Sequence, residues 1–367
     1  MTTRILAGGL RALLLLLLAC ALHASAQSAK PLKKVTLAVG GVSVLNAAYP
    51  WLMMPLALGY WRDEGYDVEV VATPGSLQTV QQLAAGSIAL SQMSAGALIQ
   101  ANVMNNLPIR AISVNNVLDW AVGVQADGPV AKVADLKGKN IGIVSLASGG
   151  LPMLKALLRA GGLDPDKDVT IVAVGTGAPA LEALRANRVQ GLMFWHTALV
   201  GFENAGGRLR YLSDPAWETF ADFSLATTQR IIDSDPAMVE AIARGVAKAS
   251  LFTATNPQCA RQLHWKRFPQ SKPTGADEAT LARNDDRLVA AVVGSMDKAR
   301  RLDGGQAWGR VDAAGFQRMQ DFLFDNKVID RKVAPETFVI RTPGFAERVD
   351  RYDHEAVIRQ AKACAIS

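Results

Sequence analysis

Two turns rich in small residues stand in the stretch "ATPGSLQTVQQLAAGSIALSQMSAGALIQA", residues 72–101. Gly75-Ser76 precedes apolar residues at helical spacing, and Gly86 ends that predicted helix. "SIALSQ" predicts a short strand, and Ser94 is a suitable N-cap for a second helix, "AGALIQANVM". The stretch therefore predicts an α/β arrangement in which each helix begins at a small, polar turn.

The same alternation of strand and helix extends in both directions. "KVTLAVGG" predicts a strand, "AYPWLMMPLALGYWRDEG" a helix closing at Gly65, and "YDVEVVAT" another strand. A second unit begins near Ala126 with "VADLKGKNIGIVSLASGGLPMLKALLRAGG" and "DVTIVAVGTGAPALEALRANRVQGLMFWHTAL". Such alternation predicts two lobes with mixed or parallel sheets covered by helices. From Asp235 the pattern becomes helical, and we expect these helices to pack on the first lobe.

Length and composition favour a packed protein of about two domains. The chain has 367 residues, of which half are hydrophobic and a fifth are charged. Its formal charge of +6 is spread along the chain, and the clearest basic cluster, Lys298 to Arg301, is typical of a solvated helix face. Acidic residues interleave everywhere, so we expect no nucleic-acid partner.

The first 26 residues resemble a secretory signal peptide. Arg4 and Arg11 supply positive charge, Leu13–Leu18 form an apolar run, and Ala24-Ser25-Ala26 offers a cleavage site. This pattern predicts export and a periplasmic location. The alternative is lipidation at Cys20, which follows Leu17-Leu18-Ala19.

Neither a metal site nor a nucleophile is predicted. His196, His264 and His354 lack metal-ligand spacing, and no HExxH, CxxC or GxSxG motif occurs. Gly175-x-Gly177-x-x-Ala180 follows a strand, but no acidic residue stands at the distance that a dinucleotide site requires. We therefore expect no cofactor and no metal.

Two cysteines, Cys259 and Cys364, remain if the first 26 residues are removed. In an oxidising compartment they could form a disulfide that joins the C-terminal elements. Two buried free thiols remain the alternative on the sequence alone.

Four helix starts carry small residues: Gly75-Ser76, Ser94-Ala95-Gly96, Ser148-Gly149-Gly150 and Gly175-Thr176-Gly177. The first N–H groups of a helix have no internal partner, and the helix dipole makes this end positive. Because such turns lie at the carboxyl ends of strands, where ligands of open α/β sheets bind, they predict a site for a small anion. Ordinary helix capping is the alternative for some of them.

Several segments resemble the substrate-binding proteins of ABC importers, in the subfamily for nitrate, sulfonates, taurine and thiamine pyrimidines. They are "GYWRDEGYDVEVVATPGSLQTVQQLAAGSIALSQMSAGALIQA", "VADLKGKNIGIVSLASGGLPMLKALLRAGGLDPDKDVTIVAVG" and "ALEALRANRVQGLMFW". The resemblance implies a two-lobed periplasmic binding protein type II fold with a helical C-terminal extension on lobe 1. The implied segments are 34–116 for lobe 1, 117–222 for lobe 2 and 223–367 for the return to lobe 1.

The resemblance also implies a monomer that captures a small ligand between its lobes and delivers it to a membrane permease. The ligand-binding residues implied by it, together with the turns above, are Ser43, Tyr49, Gly75, Ser76, Ser94, Ala95, Asn116, Ser148, Gly149, Thr176, Trp195 and His196. Trp51 and Trp120 are further candidates for an aromatic wall. The expected ligand is a small organic anion, such as a carboxylate or sulfonate, with closure about Asn115-Asn116 and Phe223-Ser224.

This chain departs from many relatives at the last of these turns. It has Trp195-His196-Thr197 where they show Trp-Glu-Pro, so the identity of a relative's ligand does not carry over. Two other classes stay open: an enzyme of the thiamine-pyrimidine-synthase type on the same fold, and a ligand-sensing module.

Overall fold

Two five-stranded sheets organise the protein. The computed structural model describes residues 31–41, 46–302, 304–305 and 307–365. The strands are β1 (Lys33–Val39), β2 (Tyr66–Ala72), β3 (Leu90–Met93), β4 (Ile109–Val117), β5 (Trp120–Gln125), β6 (Lys139–Ile143), β7 (Val169–Ala173), β8 (Gly191–Trp195), β9 (Leu209–Leu212) and β10 (Ala221–Thr228). The first sheet has the order β2-β1-β3-β10-β4, and the second has β7-β6-β8-β5-β9.

Helices cover these sheets and fill the C-terminal part of the chain. Those before β10 are α1 (Pro50–Leu58), α2 (Tyr60–Asp63), α3 (Ser76–Ala85), α4 (Ala95–Asn105), α5 (Gly150–Ala160), α6 (Ala178–Arg185) and α7 (His196–Asn204). The remainder are α8 (Gln229–Ser234), α9 (Pro236–Thr255), α10 (Pro257–Arg267), α11 (Glu278–Leu302), α12 (Ala313–Asp325), α13 (Phe345–Val349) and α14 (His354–Ala363).

The two sheets combine parallel and antiparallel strands in the same way. β1 runs parallel to β3, and β10 runs antiparallel to both β3 and β4. In the second sheet β6 is parallel to β7 and β8, while β5 is antiparallel to β8 and β9. The chain leaves the first sheet after β4 and returns through β10, so two adjacent strands of one sheet connect the two lobes. From Lys34 onward the chain forms one compact unit.

Local signals in the sequence set most element boundaries. Gly86 ends α3 with a positive φ of 73°, as predicted. Asp235 accepts a hydrogen bond from the Met238 N–H at 3.4 Å and Pro236 opens α9, which confirms that N-terminus. The helix expected to run to Gly65 is instead two helices, because Gly59 adopts a left-handed φ of 77° between α1 and α2.

The C-terminal helices do more than cover the first lobe. α9 packs against α1 and α14, and Phe316, Met319 and Leu323 of α12 are fully buried. However, α11 contacts both β4 of the first sheet and α7 of the second lobe. The expectation that these helices pack on lobe 1 is therefore correct for α9 and α14 and incomplete for α11 and for α12, which also contacts α5 of the second lobe.

A disulfide joins Cys259 in α10 to Cys364, which follows α14, across 105 residues. The structure thus decides between the two states that the sequence left open. The predicted signal peptide, its cleavage site and Cys20 lie outside the described residues. Within the described ranges, no helix combines the length and the apolar character needed to cross a membrane.

Candidate ligand-binding site

The small-residue turns of the two lobes meet each other directly. The Leu77 N–H donates to the Ala147 carbonyl at 3.2 Å, and the Ser145 hydroxyl donates to the Pro74 carbonyl at 2.7 Å. The Ser94 hydroxyl lies 3.5 Å from the Gly149 carbonyl. These hydrogen bonds join the α3 and α4 starts of the first lobe to the α5 start of the second.

Close approach of the backbones explains why these turns need small residues. A Cβ atom at Gly75 would lie 2.2 Å from the Ala147 carbonyl oxygen, and one at Gly149 would lie 2.5 Å from Ser94 Cβ. Real Cβ atoms do not tolerate such distances. The turns are therefore shaped for contact between the lobes, and Ser76, Ser94 and Ser148 are almost completely buried there.

A cavity between the lobes, termed the central cavity below, lies beside these turns and has a volume of about 40 Å³. This volume is smaller than that of a typical small-molecule site, so a bound ligand would require the lobes to move apart. Both lobes and α11 contribute to its wall, which consists of Gly40, Ala48, Tyr49, Trp51, Asn116, Asp119, Trp120, Trp195, Thr197, Asp222, Phe223, Val292 and Ser295.

Five aromatic rings contribute to this wall in two groups. On the first lobe, the ring centroids of Tyr49, Trp51 and Phe223 lie 6.0 to 6.2 Å from one another. On the second lobe, Trp120 and Trp195 are opposite each other in the β5–β8 register, with centroids 5.5 Å apart. The edge-to-face or tilted geometry of these pairs is favourable for aromatic packing.

Asp222 is a fully buried carboxylate that connects three elements at this cavity. Its Oδ1 accepts a hydrogen bond from the Ala95 N–H at the start of α4, at 2.9 Å. Its Oδ2 accepts from Trp120 Nε1 at 3.1 Å, which fixes the indole in the wall. Burial raises the pKa of Asp222 to about 7, although the Ala95 N–H works in the opposite direction and nearby Asp119 adds to the rise.

Asp119 lies between β4 and β5, where the chain passes from one lobe to the other. Burial raises its pKa, whereas the charge of His196 and hydrogen bonds with Ser295, Asn116 and the His196 backbone lower it. Its Oδ1 atom is buried without a hydrogen-bond partner. The cavity thus contains a second carboxylate, with one oxygen still able to accept.

Comparison of the chain with known proteins identifies its family. The sequence pattern described as NMT1/THI5 like matches residues 51–260, more than half of the chain. The chain belongs to the NMT1/THI5-like family. The resemblance inferred from the sequence is confirmed at this level.

Known relatives and solved structures of this NMT1/THI5-like protein include binding proteins. The riboflavin-binding protein RibY of Chloroflexus aurantiacus is 25% identical over 256 residues, covering 68% of this chain and 71% of RibY. The periplasmic aliphatic sulphonate binding protein SsuA of Escherichia coli is 18% identical, with a TM-score of 0.54 over 84% of this chain and 97% of SsuA. The expected periplasmic binding protein type II fold is confirmed.

An enzyme shares the fold of this NMT1/THI5-like protein. The desulfurization enzyme DSZB is 17% identical, with a TM-score of 0.53 over 86% of this chain and 98% of the enzyme. Fold alone therefore does not separate binding from catalysis in this comparison.

The structure places the residues predicted for the family member's site in four locations. Tyr49, Asn116 and Trp195 line the central cavity. Thr176 lies in a neighbouring cleft that shares Trp195, and His196 lies in an outer cleft that shares Asp119. Ser43 is outside the described residues. The remaining predicted residues belong to the turns where the lobes meet, and none of them lines the central cavity: Gly75, Ser76, Ser94, Ala95, Ser148 and Gly149.

Sequence reasoning missed the two carboxylates and the contribution of α11. Asp119 follows β4, and Asp222 lies at the start of β10, so both are at the crossing between the lobes. The predicted hinge could have indicated these two positions. In contrast, Val292 and Ser295 lie in the middle of a long amphipathic helix. No local signal distinguishes them from residues that pack in a core.

Proposed function

We propose that this NMT1/THI5-like protein is an extracytoplasmic solute-binding protein. It captures a small organic ligand in the central cavity and presents the closed form to the membrane permease of an ABC importer. The single observation that carries this proposal is an aromatic-lined cavity whose wall comes from both lobes. The family and the names of RibY and SsuA support it.

Capture requires the lobes to separate. β4 and β10 are the strands that connect the lobes, and Asn116 is paired with Asp222 in their antiparallel register. We place the hinge at this crossing, at Asn115-Asn116 and Phe223-Ser224, where small changes in backbone angles move one lobe relative to the other. Opening would break the hydrogen bonds between the turns and expose the aromatic wall.

The anionic ligand stays a prediction, and the wall of the central cavity favours a ligand of different charge. In the part of the chain that the structure describes, no lysine or arginine lines the central cavity, and two aspartates do. Three of the four helix starts, those of α3, α4 and α5, are occupied by contacts between the lobes, and the Ala95 N–H donates to Asp222. The fourth, at Thr176-Gly177, lies in the neighbouring cleft and not at the central cavity.

The competing function is catalysis on the same fold, as DSZB exemplifies. A binding protein returns its ligand unchanged, whereas an enzyme does not. Mass analysis of the ligand after release from the protein separates the two functions, because a changed mass or a released fragment would contradict our proposal.

The test is thermal unfolding of the purified protein against a panel of amines, pyrimidines, flavins, carboxylates and sulfonates. A ligand that binds only the folded state adds about 2.7 kcal/mol at 100 times its dissociation constant. We expect one chemical class to raise the midpoint and Trp195→Ala to abolish the rise. Phe324→Ala is the matched control, because it removes an aromatic ring from the surface of α12, away from the cavity. Equal shifts in both variants would contradict a site at Trp195.

A further inference from the structure

The charged residue types in the wall of the central cavity are acidic. Asp119 and Asp222 line it, and no basic side chain does so among the residues that the structure describes. The basic groups near Asp119, His196 and Lys298, lie in the outer cleft instead. Lys298 is also paired with Glu218 at 2.6 Å. The cavity therefore offers no side-chain cation to neutralise an entering anion.

Unpaired polar atoms in the wall point in the same direction. Asp119 Oδ1 and Asn116 Oδ1 are both buried acceptors without a hydrogen-bond partner. A buried acceptor left unsatisfied costs free energy, so these oxygens favour a ligand that carries N–H groups. Among the described wall residues, Trp51 Nε1 and the Ser295 hydroxyl are buried donor groups without a partner, so the same ligand can also present acceptor atoms.

The aromatic wall adds an attraction for positive charge. Tyr49, Trp51 and Phe223 surround one side of the cavity, and Trp120 and Trp195 the other. The faces of such rings carry negative charge density and attract ammonium or guanidinium-like groups, most strongly when water is excluded. Asp222 also lines the cavity, but both of its oxygens already accept hydrogen bonds, so it offers a ligand no free acceptor.

We propose that the central cavity selects an organic cation, held by Asp119 Oδ1 and Asn116 Oδ1 and enclosed by the five aromatic rings. The ligand would carry an ammonium or amidinium group with N–H donors. This inference rests on the proposed binding function and specifies its substrate class. It reverses the sign of the charge that the helix-start turns suggested.

Three probes of nearly the same shape test the sign of the charge: benzamidine as cation, benzamide as neutral compound and benzoate as anion. Their dissociation constants are measured by calorimetry on the wild-type protein at pH 8. We expect benzamidine to bind at least about tenfold more tightly than benzamide, and benzoate to bind more weakly than either. Benzoate binding as tightly as benzamidine, or no binding by any probe at millimolar concentration, would overturn the proposal.

A variant pair locates the charge. Asp119→Asn keeps the shape and removes one charge, and we expect it to reduce the preference for benzamidine over benzamide about tenfold. Asp127→Asn is the control, since it makes the same change at an exposed residue paired with Arg208. An unchanged preference in Asp119→Asn would contradict the assignment, and the wild-type ranking still tests the charge if this variant fails to fold.

Equilibrium dialysis against a bacterial metabolite extract separates this inference from the binding function itself. An enriched cation supports both. An enriched anion supports the binding function and overturns the cation class. No enriched compound of any charge would contradict both.

Discussion

Asp222 illustrates how one buried carboxylate serves structure and site at once. It holds the start of α4 through the Ala95 N–H and orients Trp120 across the lobe boundary. A carboxylate is suited to both tasks because the helix dipole favours negative charge at this end, and the indole has only a donor to offer. The penalty is that a charged group is removed from water, which is why its pKa rises.

This pKa predicts how stability depends on pH. The pKa is 3.8 for an ordinary aspartate and about 7 for Asp222 in the folded protein, so folding favours the protonated form. Its contribution to the free energy of unfolding is complete below about pH 4 and declines by up to about 4 kcal/mol as pH rises to about 7. Asp119 shifts in the same direction. Urea unfolding of the ligand-free protein at pH 5 and pH 8 measures the decline.

Asp222→Asn cannot lose a proton, so we expect a smaller decline in this variant. It should be less stable than the wild type at pH 5, because the amide has one acceptor oxygen for the two donors, the Ala95 N–H and Trp120 Nε1. The difference in stability between the two proteins should shrink at pH 8, where the wild type is itself less stable. Asp127→Asn again controls for net charge. Parallel pH dependence in the wild type and Asp222→Asn would show that another group causes the decline.

Gly149 provides a second prediction at this scale. In Gly149→Ala the new Cβ would lie 2.5 Å from Ser94 Cβ and 2.8 Å from Ser76 Oγ, so the lobes could not approach fully. We expect about tenfold or greater loss of ligand affinity with a smaller effect on unfolding. Gly201→Ala in α7 is the control, because nothing lies within 4 Å of its new methyl group. Unchanged affinity in Gly149→Ala would mean that binding does not need this contact.

At the level of elements, the sequence predicted most strands and helices because hydrophobic spacing and turn residues act locally. It also predicted helices that start at small residues, but assigned those turns to ligand contact. Whether Gly75 faces a ligand or the Ala147 carbonyl depends on the distance between lobes, which no local pattern encodes. Tyr49 and Trp195 were predicted from the family resemblance, whereas Asp222 needed the register of β10 against β4 to be recognised.

The disulfide between α10 and the end of α14 predicts a measurable contribution to stability. Closing a loop of about 100 residues restricts the unfolded chain, and removal of such a bond costs about 2 to 5 kcal/mol. We expect Cys259→Ser with Cys364→Ser to lower the free energy of unfolding by this amount in urea titration. Reduction of the wild type with dithiothreitol should give the same loss, and an equal stability in both redox states would contradict the prediction.

In the whole molecule, α11 connects elements that belong to different lobes. It is fixed to α10 by Arg261 and Trp265, which hydrogen-bond Asp286 and Asp285. It reaches the second lobe through Arg287, whose guanidinium donates to Asn204 at 2.6 Å and to Glu203 at 3.3 Å. Because Val292 and Ser295 of the same helix line the cavity, α11 can couple ligand binding to closure.

Arg287→Ala tests this coupling. These contacts are largely exposed, so each is weak, and we expect ligand to dissociate about two- to fivefold faster with little change in unfolding. Stopped-flow release measures the rate. Arg283→Ala on the same helix is the control, since its guanidinium donates to Thr280 one turn earlier. Equal release rates in the two variants would exclude a role of the Arg287 contacts in retention.

The paired indoles of Trp120 and Trp195 also give the protein an optical property of its own. Three of its seven tryptophans, these two and Trp51, line the central cavity. Their emission depends on local polarity and on quenching by neighbouring groups, and two indoles 5.5 Å apart couple in near-ultraviolet circular dichroism. Opening of the lobes and entry of a solute can therefore be followed in real time without any label.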